Sequence, residues 1–140
     1  MRSKIHAICF DAFGTLVEIV DKRQPFQTLL SGQPARHRTI DALTQPLGLR
    51  EVARDLAIVI GEARLRNLEL DLAAECASVR LRPGMDLVWA MLRQADVQIG
   101  VCSNLAQPYA EPLLASLPGI PDALVLSCDV GLIKPQPEIF

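Results

Sequence analysis

Residues 8–16 read ICFDAFGTL, an apolar run that ends in a carboxylate, Asp11, with Gly14 and Thr15 close behind it. An apolar run without polar alternation is typical of a strand covered on both faces of a parallel sheet. In open α/β sheets, ligands bind at the carboxyl ends of the strands. Gly14 allows a sharp turn there, and Thr15 brings a hydroxyl and an amide to the same place. Asp11 is therefore expected to be a nucleophile, a metal ligand or simply the cap of a turn.

Three segments are predicted to form strands of one sheet: residues 5–10, 97–102 and 123–127, each nearly continuous in apolar type. Helical periodicity precedes the second strand over residues 85–95 and follows it over residues 105–117. The first of these helices is expected to bury a stripe of Leu87, Val88, Met91, Leu92 and Ala95. Strands that alternate with helices predict an α/β fold with a doubly wound, Rossmann-like parallel sheet.

Residues 17–82 do not follow this alternation. Apolar residues recur there at helical spacings of three and four, namely Val52, Leu56, Val59 and Ala63, then Leu68, Leu72, Cys76 and Val79. The pattern predicts an all-helical insertion over residues 17–82. The sheet domain is then made of residues 1–16 and 83–140.

Small polar or charged residues also follow the other two predicted strands. Ser103 and Asn104 come after the second strand, where Ser103 can donate to an anion held near Asp11 or can serve as a helix cap. Lys134 follows the third strand and precedes Pro135. A lone lysine is usually a solvated surface charge, but a proline restricts the backbone beside it, as a cation aimed at a fixed point requires.

The composition gives no sign of a charged partner. The chain of 140 residues carries 14 basic and 16 acidic side chains, for a formal charge of −2, which favours neither nucleic acid nor an anionic membrane. No apolar run approaches the roughly 20 residues that cross a bilayer. The N-terminus reaches Asp11 too soon for a secretory signal. We expect a cytoplasmic protein with a small-molecule substrate.

Isolated cysteines and histidines complete the inventory of reactive side chains. Cys9, Cys76, Cys102 and Cys128 lack the close spacing of zinc or redox sites, so they are expected to be reduced and to pack as small apolar residues. His6 and His37 have no neighbouring ligand types in the sequence, and neither is assigned a chemical role.

Taken in order, these stretches resemble the haloacid dehalogenase (HAD) superfamily of hydrolases. FDAFGTL is similar to its first motif, VCSN to its second and GLIKPQPEIF to its third, and the helical insertion resembles its cap. The resemblance covers essentially the whole chain. It implies that Asp11 is the nucleophile of an aspartyl-ester intermediate and that Lys134 neutralises charge beside it. It further implies that Thr15, Ser103 and Asn104 bind the transferred or displaced group.

One departure from the family pattern bears on the reaction. The phosphatases of the superfamily usually read DxDGT, where the second Asp protonates the leaving alkoxide, but this chain has Phe13 at that position. A halide leaves without a proton, and DAFGTL is similar to the DAYGTL form of 2-haloacid dehalogenases. Dehalogenation, which needs no cofactor, is therefore expected first. Phosphate-ester hydrolysis is the alternative, and it implies Mg²⁺ held by the Asp11 side chain and the Phe13 backbone carbonyl.

A dehalogenase of this family should also present an early cap arginine to the substrate carboxylate. Arg23, Arg36 and Arg38 are the candidates, and the sequence does not rank them. For each of them a surface role is the simpler interpretation.

The second departure is that no fourth motif, the family's acidic or polar cluster after a further strand, is found before Phe140. Family topology places the missing strands beside the first one, so the strand that carries Asp11 is expected to form an open edge. The sequence can be a shortened form of a longer hydrolase, or a product that completes its sheet with a partner or a second copy. A third reading is an inactive fragment with a binding or interaction role.

Overall fold

The computed structural model describes residues 4–33 and 42–140. Its strands are β1 (Ala7–Phe10), β2 (Val17–Ile19), β3 (Val79–Leu81), β4 (Gln98–Ser103) and β5 (Ala123–Leu126). Its helices include α1 (Pro25–Leu30), α2 (Leu49–Asp55), α3 (Glu62–Ala77), α4 (Met85–Gln94), α5 (Ala110–Ser116) and α6 (Ser127–Val130). Short 3-10 segments lie at Gln107–Tyr109 and Pro137–Ile139. The three predicted core strands are confirmed to within two residues at each end.

The core is a parallel sheet with the strand order β1-β4-β5. Phe10 of β1 is in register with Val101 of β4, and Ser103 of β4 with Leu126 of β5. The carboxyl ends of the three strands therefore meet at one edge of the sheet, as the predicted α/β fold requires. Within the described residues β1 has β4 as its one sheet neighbour, so β1 is an edge strand, as predicted.

The sheet domain has a single apolar core on one face of the sheet. Its fully or nearly fully buried residues are Ala12, Leu16, Val17, Trp89, Ile99, Val101, Leu105, Leu113, Leu126 and Cys128. Helix α4 covers this face through Trp89, whereas Leu87 and Met91 are exposed. The predicted stripe is therefore wrong for Leu87, Met91 and Ala95, whereas Val88 is partly buried and Leu92 packs against the core. The large indole of Trp89, one position away from that stripe, is the buried residue of this helix.

The opposite face of the sheet is bare in the described residues. It forms a groove of about 590 Å³ lined by small and apolar residues of all three strands and by the end of the chain, including Ala7, Cys9, Gly100, Val125 and Phe140. Cys9 is exposed there, contrary to the expectation of a packed cysteine, whereas Cys102 and Cys128 are buried; all four cysteines are free thiols. No helix within the described ranges combines the length and apolar character needed to cross a bilayer.

A pair of antiparallel strands connects the sheet domain to the insertion. β2 leaves and β3 returns, with Glu18 opposite Arg80, and the two side chains form a 2.8 Å ion pair. The sequence pattern did not predict these strands, since three residues each are too few to show a period of two. The insertion is helical between them, over the described parts of residues 25–77.

The insertion has its own apolar core, which is built mainly by α1, α2 and α3. Its buried residues are Leu29, Ala42, Leu49, Val52, Ala53, Leu65 and Leu68. Helix α2 ends in a Schellman motif, with Ala57 at φ 51° and the Ile58 amide bonded to the Ala53 carbonyl at 2.8 Å. This break leaves Val59 fully exposed, so the helical spacing of Val52, Leu56, Val59 and Ala63 does not continue as one helical face in the structure.

Candidate active site

The site centres on an ion pair between Asp11 and Lys134. The Lys134 ammonium Nζ lies 2.7 Å from Asp11 Oδ1 and also donates to the Cys102 backbone carbonyl at 2.8 Å. Asp11 follows β1 directly, and its side chain is about half exposed. Within the described residues the second carboxylate oxygen, Oδ2, has no hydrogen-bond donor. Asp11 thus combines one charge-paired oxygen with one that is unpaired in the described residues, on a side chain that solvent reaches.

The loop after Asp11 is held rigidly by its own backbone. The Ala12 carbonyl accepts hydrogen bonds from the amides of Thr15, Leu16 and Val17 at 3.1, 2.8 and 3.1 Å. Gly14 makes this turn at φ +83°, a conformation that L side chains rarely adopt. The Gly14 carbonyl accepts a further bond from the Arg82 guanidinium, so the chain segment that returns from the insertion also fastens this loop.

Lys134 is positioned through its backbone by Asn104. The Asn104 side chain accepts from the Lys134 amide at 2.8 Å and donates to the Lys134 carbonyl at 3.2 Å. The residue predicted from the second motif as a substrate ligand thus holds the lysine of the third motif in place. Its role as a direct substrate ligand stays a prediction.

Ser103 and Thr15 follow two neighbouring strands of the sheet, at or just after the strand's end. Ser103 is the last residue of β4 and is buried, next to the Cys102 carbonyl that binds Lys134. Thr15 is partly buried, and its hydroxyl makes no hydrogen bond within residues 4–33 and 42–140. Ser103 thus ends one strand and Thr15 lies in the loop that follows another, and the binding of substrate by their hydroxyls remains a prediction.

The buried side chain of Ser127 forms hydrogen bonds at the same edge of the sheet. The sequence interpretation did not predict this role. The Ser127 hydroxyl accepts from the Leu105 amide at 2.9 Å and donates to the Leu105 carbonyl at 3.3 Å. These bonds keep residues 104–106 extended, so the helix predicted from residue 105 begins only at the 3-10 segment Gln107–Tyr109. A polar residue directly after a third apolar strand was the available signal.

Phe13, which occupies the position of the second family acid, belongs to an aromatic cluster. Its ring meets the Tyr109 ring edge-on, with 6.0 Å between centroids, and Tyr109 lies 6.1 Å from the ring of Phe26 in α1. These three residues line a pocket of about 230 Å³ between the sheet domain and the insertion. The remaining lining residues are Ile19, Leu43, Asn104, Leu105 and Ala106, so the wall is mainly apolar.

A buried carboxylate, Glu75, lies behind this cluster. It accepts hydrogen bonds from the Tyr109 hydroxyl and from the backbone amides of Arg23 and Gln24, each amide at 2.9 Å. Burial and the Glu75 carboxylate both raise the pKa of Tyr109 far above its ordinary value, so its hydroxyl stays protonated. The sequence pattern missed Glu75 and Tyr109 because neither lies near a motif.

Of the three cap arginines considered for the substrate carboxylate, only Arg23 lies in the described residues; Arg36 and Arg38 lie outside them. The Arg23 guanidinium bonds Asp21 at 2.9 Å and Asp71 at 3.0 Å, and these two carboxylates raise the pKa of Arg23. Its charge is thus already satisfied on the exposed side of the linker.

Magnesium, the cofactor expected of a phosphatase, would need more oxygen ligands than these residues offer. Mg²⁺ demands near-octahedral coordination by oxygen atoms. In the part of the chain that the structure describes, no group of three or more His, Cys, Asp or Glu side chains is placed to hold a metal ion. Asp11 and the Phe13 carbonyl, the two predicted ligands, do not by themselves make a complete magnesium site.

Comparison with known proteins gives one family and several related structures. The family model of the haloacid dehalogenase-like hydrolases matches residues 5–140. No curated protein matches the chain.

Three solved structures illustrate the likeness in fold. A predicted phosphoglycolate phosphatase from Haemophilus somnus 129PT is 18% identical, with a TM-score of 0.58 over 96% of this chain and 68% of that one. CbbY from Rhodobacter sphaeroides, in complex with xylulose-(1,5)bisphosphate, is 24% identical, with a TM-score of 0.55 over 97% and 69%. A HAD family enzyme from Bacteroides thetaiotaomicron, in complex with magnesium and inorganic phosphate, is 14% identical, with a TM-score of 0.65 over 97% and 75%. At these identities the likeness shows the fold alone.

Proposed function

Because the chain belongs to the haloacid dehalogenase-like hydrolases, we propose that it hydrolyses a small anionic substrate through an ester formed on Asp11. The observation that carries the proposal is the 2.7 Å pair between Asp11 and Lys134 at the carboxyl edge of the sheet. A half-exposed carboxylate with one unpaired oxygen can attack, and the neighbouring ammonium attracts the anionic substrate and stabilises the charge that moves during displacement.

The reaction favoured first is displacement of a halide from a 2-haloacid. Asp11 Oδ2 attacks the carbon that bears the halogen, the new C–O bond forms, and the halide departs with the electron pair of the broken carbon–halogen bond. Water then adds to the Asp11 carboxyl carbon, and cleavage of the ester releases the 2-hydroxyacid and a proton. Both carboxylate oxygens are restored at the end of the cycle, so the residue acts catalytically.

Phe13 supports this order of candidates. An alkoxide leaving group requires a proton, and general acid catalysis contributes roughly 10² to 10⁴ in rate, whereas a halide leaves unprotonated. The Phe13 ring is packed against Tyr109, whose raised pKa and bond to Glu75 make it a poor proton donor to substrate. The mainly apolar pocket beside Asn104 also suits a short alkyl substituent.

Phosphate-ester hydrolysis with Mg²⁺ is the second candidate. It is favoured by the solved HAD family structure that contains magnesium and inorganic phosphate and by the bisphosphate complex of CbbY. When bound, Mg²⁺ would neutralise phosphate charge beside Asp11. The Lys134 ammonium would contribute in the same direction from its own side of the carboxylate.

A non-catalytic role is the third candidate. The open edge of β1 and the bare sheet face are where a partner or a second copy would complete the sheet. That partner stays a prediction from the sequence, as does a binding role without turnover.

One pair of assays separates the three candidates. Halide release from 2-chloropropionate and phosphate release from p-nitrophenyl phosphate with Mg²⁺ are measured for the protein and for Asp11→Asn. Halide release that requires Asp11 and resists EDTA supports dehalogenation. Phosphate release that EDTA abolishes reverses the order of the two enzymes. Background rates that are equal in both proteins on both substrates would exclude catalysis and leave the binding role.

A further inference from the structure

Glu75 is a buried charge without a cationic partner in the described residues. The residue is 2% exposed, near the end of α3 in the insertion. Its Oε1 accepts the amides of Arg23 and Gln24, both at 2.9 Å, and its Oε2 accepts the Tyr109 hydroxyl. A buried carboxylate is retained at a cost unless hydrogen bonds satisfy its oxygens. Three donors do so here, and they come from two other parts of the molecule.

Those donors connect the two ends of the insertion to the sheet domain. Arg23 and Gln24 belong to the linker that runs from β2 to α1, where Gln24 stands at φ 54°. Glu75 itself lies one turn before the chain re-enters the sheet domain at β3. Tyr109 belongs to the 3-10 segment after β4, in the sheet domain. The Glu75 carboxylate, near the end of α3, thus connects the linker that leads into the insertion, the helix that leads out of it and the sheet domain.

Tyr109 extends this junction to the loop after Asp11, residues 12–17, which we call the nucleophile loop. Its ring lies edge-on to Phe13, two residues after Asp11, at 6.0 Å, and 6.1 Å from Phe26 of the insertion. The same ring forms part of the wall of the apolar pocket. A shift of Tyr109 would therefore move a pocket wall and release the ring of Phe13 at once.

We propose that Glu75 is a positioning residue that locks the insertion onto the nucleophile loop through Tyr109 and the Arg23–Gln24 linker. The effect on substrate, though not the lock itself, rests on the proposed function. Glu75 touches no reacting atom in this scheme. It fixes the width of the pocket between Phe13 and Phe26, and hence the fit of the substrate group next to Asp11.

The first test needs no variant and no substrate, because Tyr109 is the only tyrosine in the chain. Its ionisation is followed by absorbance at 295 nm during an alkaline titration, with far-UV circular dichroism as the measure of folding. Glu75, the Cys76 thiol next to it and the two phenyl rings surround the phenol. We expect phenolate to appear only as the fold is lost. Ionisation of the folded protein near pH 10, the ordinary value for tyrosine, would overturn the lock.

The second test follows the linker by trypsin cleavage after Lys22 and Arg23, identified by fragment mass. The segment must leave Glu75 to enter a protease, so Glu75→Gln, which weakens all three bonds to this side chain, should be cut there about tenfold faster than the parent. Tyr109→Phe, which removes one of the three bonds, should be cut about threefold faster. Glu69→Gln is the matched control, because it makes the same change on the same helix at an exposed carboxylate that pairs with Arg50. If Glu75→Gln fails to fold, Tyr109→Phe, which keeps both amide bonds to the carboxylate, decides the point. Equal cleavage rates in Tyr109→Phe, the control and the parent would overturn the lock.

The third test separates positioning from simple stability. On whichever substrate the parent turns over, we expect Glu75→Gln to raise KM about tenfold while kcat changes less, since a misplaced pocket wall weakens binding without removing Asp11 or Lys134. Loss of stability alone would lower the active fraction and leave KM unchanged, which would contradict the positioning role. If the parent turns over neither substrate, the proposed function fails, and the absorbance and trypsin results still decide the lock.

Discussion

The sheet and the insertion differ in how their decisive residues are brought together. In the sheet, Asp11, Ser103 and Ser127 each stand at the end of an apolar strand, so parallel pairing alone collects them at one edge. In the insertion, Glu75 meets Gln24 and Tyr109 across 51 and 34 residues of sequence, and no repeating pattern marks these contacts. The positions of the reactive side chains in the sheet thus follow from the strand pattern in the sequence. The contacts of Glu75, by contrast, join residues far apart in the sequence and are seen only in the folded chain.

The largest expected effect concerns the sheet edge. Asp11→Asn should lower turnover by about 10³-fold or more, because an amide is a poor nucleophile, and should leave the thermal midpoint nearly unchanged, because the side chain is about half exposed. The matched control is Asp129→Asn, the same change at an exposed carboxylate just past the end of β5. Equal losses of turnover in both variants would contradict the assignment of Asp11.

The next largest effect concerns stability and tests whether the sheet domain and the insertion unfold together. Leu113→Ala in the sheet core and Leu49→Ala in the insertion each remove a buried side chain and should each cost about 2 to 5 kcal/mol of unfolding free energy. Urea unfolding is followed by fluorescence of Trp89, the only tryptophan, which reports on the sheet core. If the Glu75 lock joins the regions into one cooperative unit, both variants shift this transition. A Leu49→Ala protein with an unchanged Trp89 transition would show that the insertion unfolds separately.

A smaller loss of activity is expected from a change at Asn104, which holds the Lys134 backbone in place. Asn104→Ala removes both hydrogen bonds to the Lys134 backbone and should reduce kcat/KM by about tenfold through a less fixed ammonium group. Gln136→Ala serves as the control, because its side chain accepts the Ile133 amide at 2.8 Å in the same loop and makes no hydrogen bond to Lys134 in the described residues. An equal loss of kcat/KM in both variants would point to general loosening of the loop and would contradict a specific role of Asn104.

The smallest effect concerns pH and the far end of the sheet. Hydrogen bonds from the Ile99 amide and the Arg93 guanidinium lower the pKa of Asp122. A lowered pKa gives stability that is present above about pH 4, the unfolded value, and is lost as the pH falls through the folded value. Asp122→Asn should therefore narrow the difference in thermal midpoint between pH 7 and pH 3. Asp96→Asn is the control, since Asp96 sits at φ 56°, which Asn tolerates, and an equal narrowing there would contradict the assignment.

Much of the sheet domain could be predicted from the sequence because its strands are continuous apolar runs. The three core strands, the edge position of β1 and the proximity of Asp11 and Lys134 all agree with the structure. Such runs mark strands of a parallel sheet with little ambiguity, although one face of this sheet is bare in the described residues.

The remainder could not be predicted because other forces decided it. The bulk of the Trp89 indole set the buried side of α4, and a left-handed residue, Ala57, ended α2 where the apolar spacing continued. The roles of Asn104 and Glu75 depend on partners 30 to 52 residues away, which spacing within a motif does not encode.

If Asp11 forms an ester at carbon, a single turnover of 2-chloropropionate in water enriched in oxygen-18 will label this residue. With protein in excess over substrate, the peptide that contains Asp11 is isolated and its mass measured. We expect the heavy oxygen to enter the Asp11 carboxylate, because water attacks the ester at the carboxyl carbon and the unlabelled oxygen leaves with the product. Heavy oxygen found in the 2-hydroxyacid after the first turnover, with none in Asp11, would contradict the account.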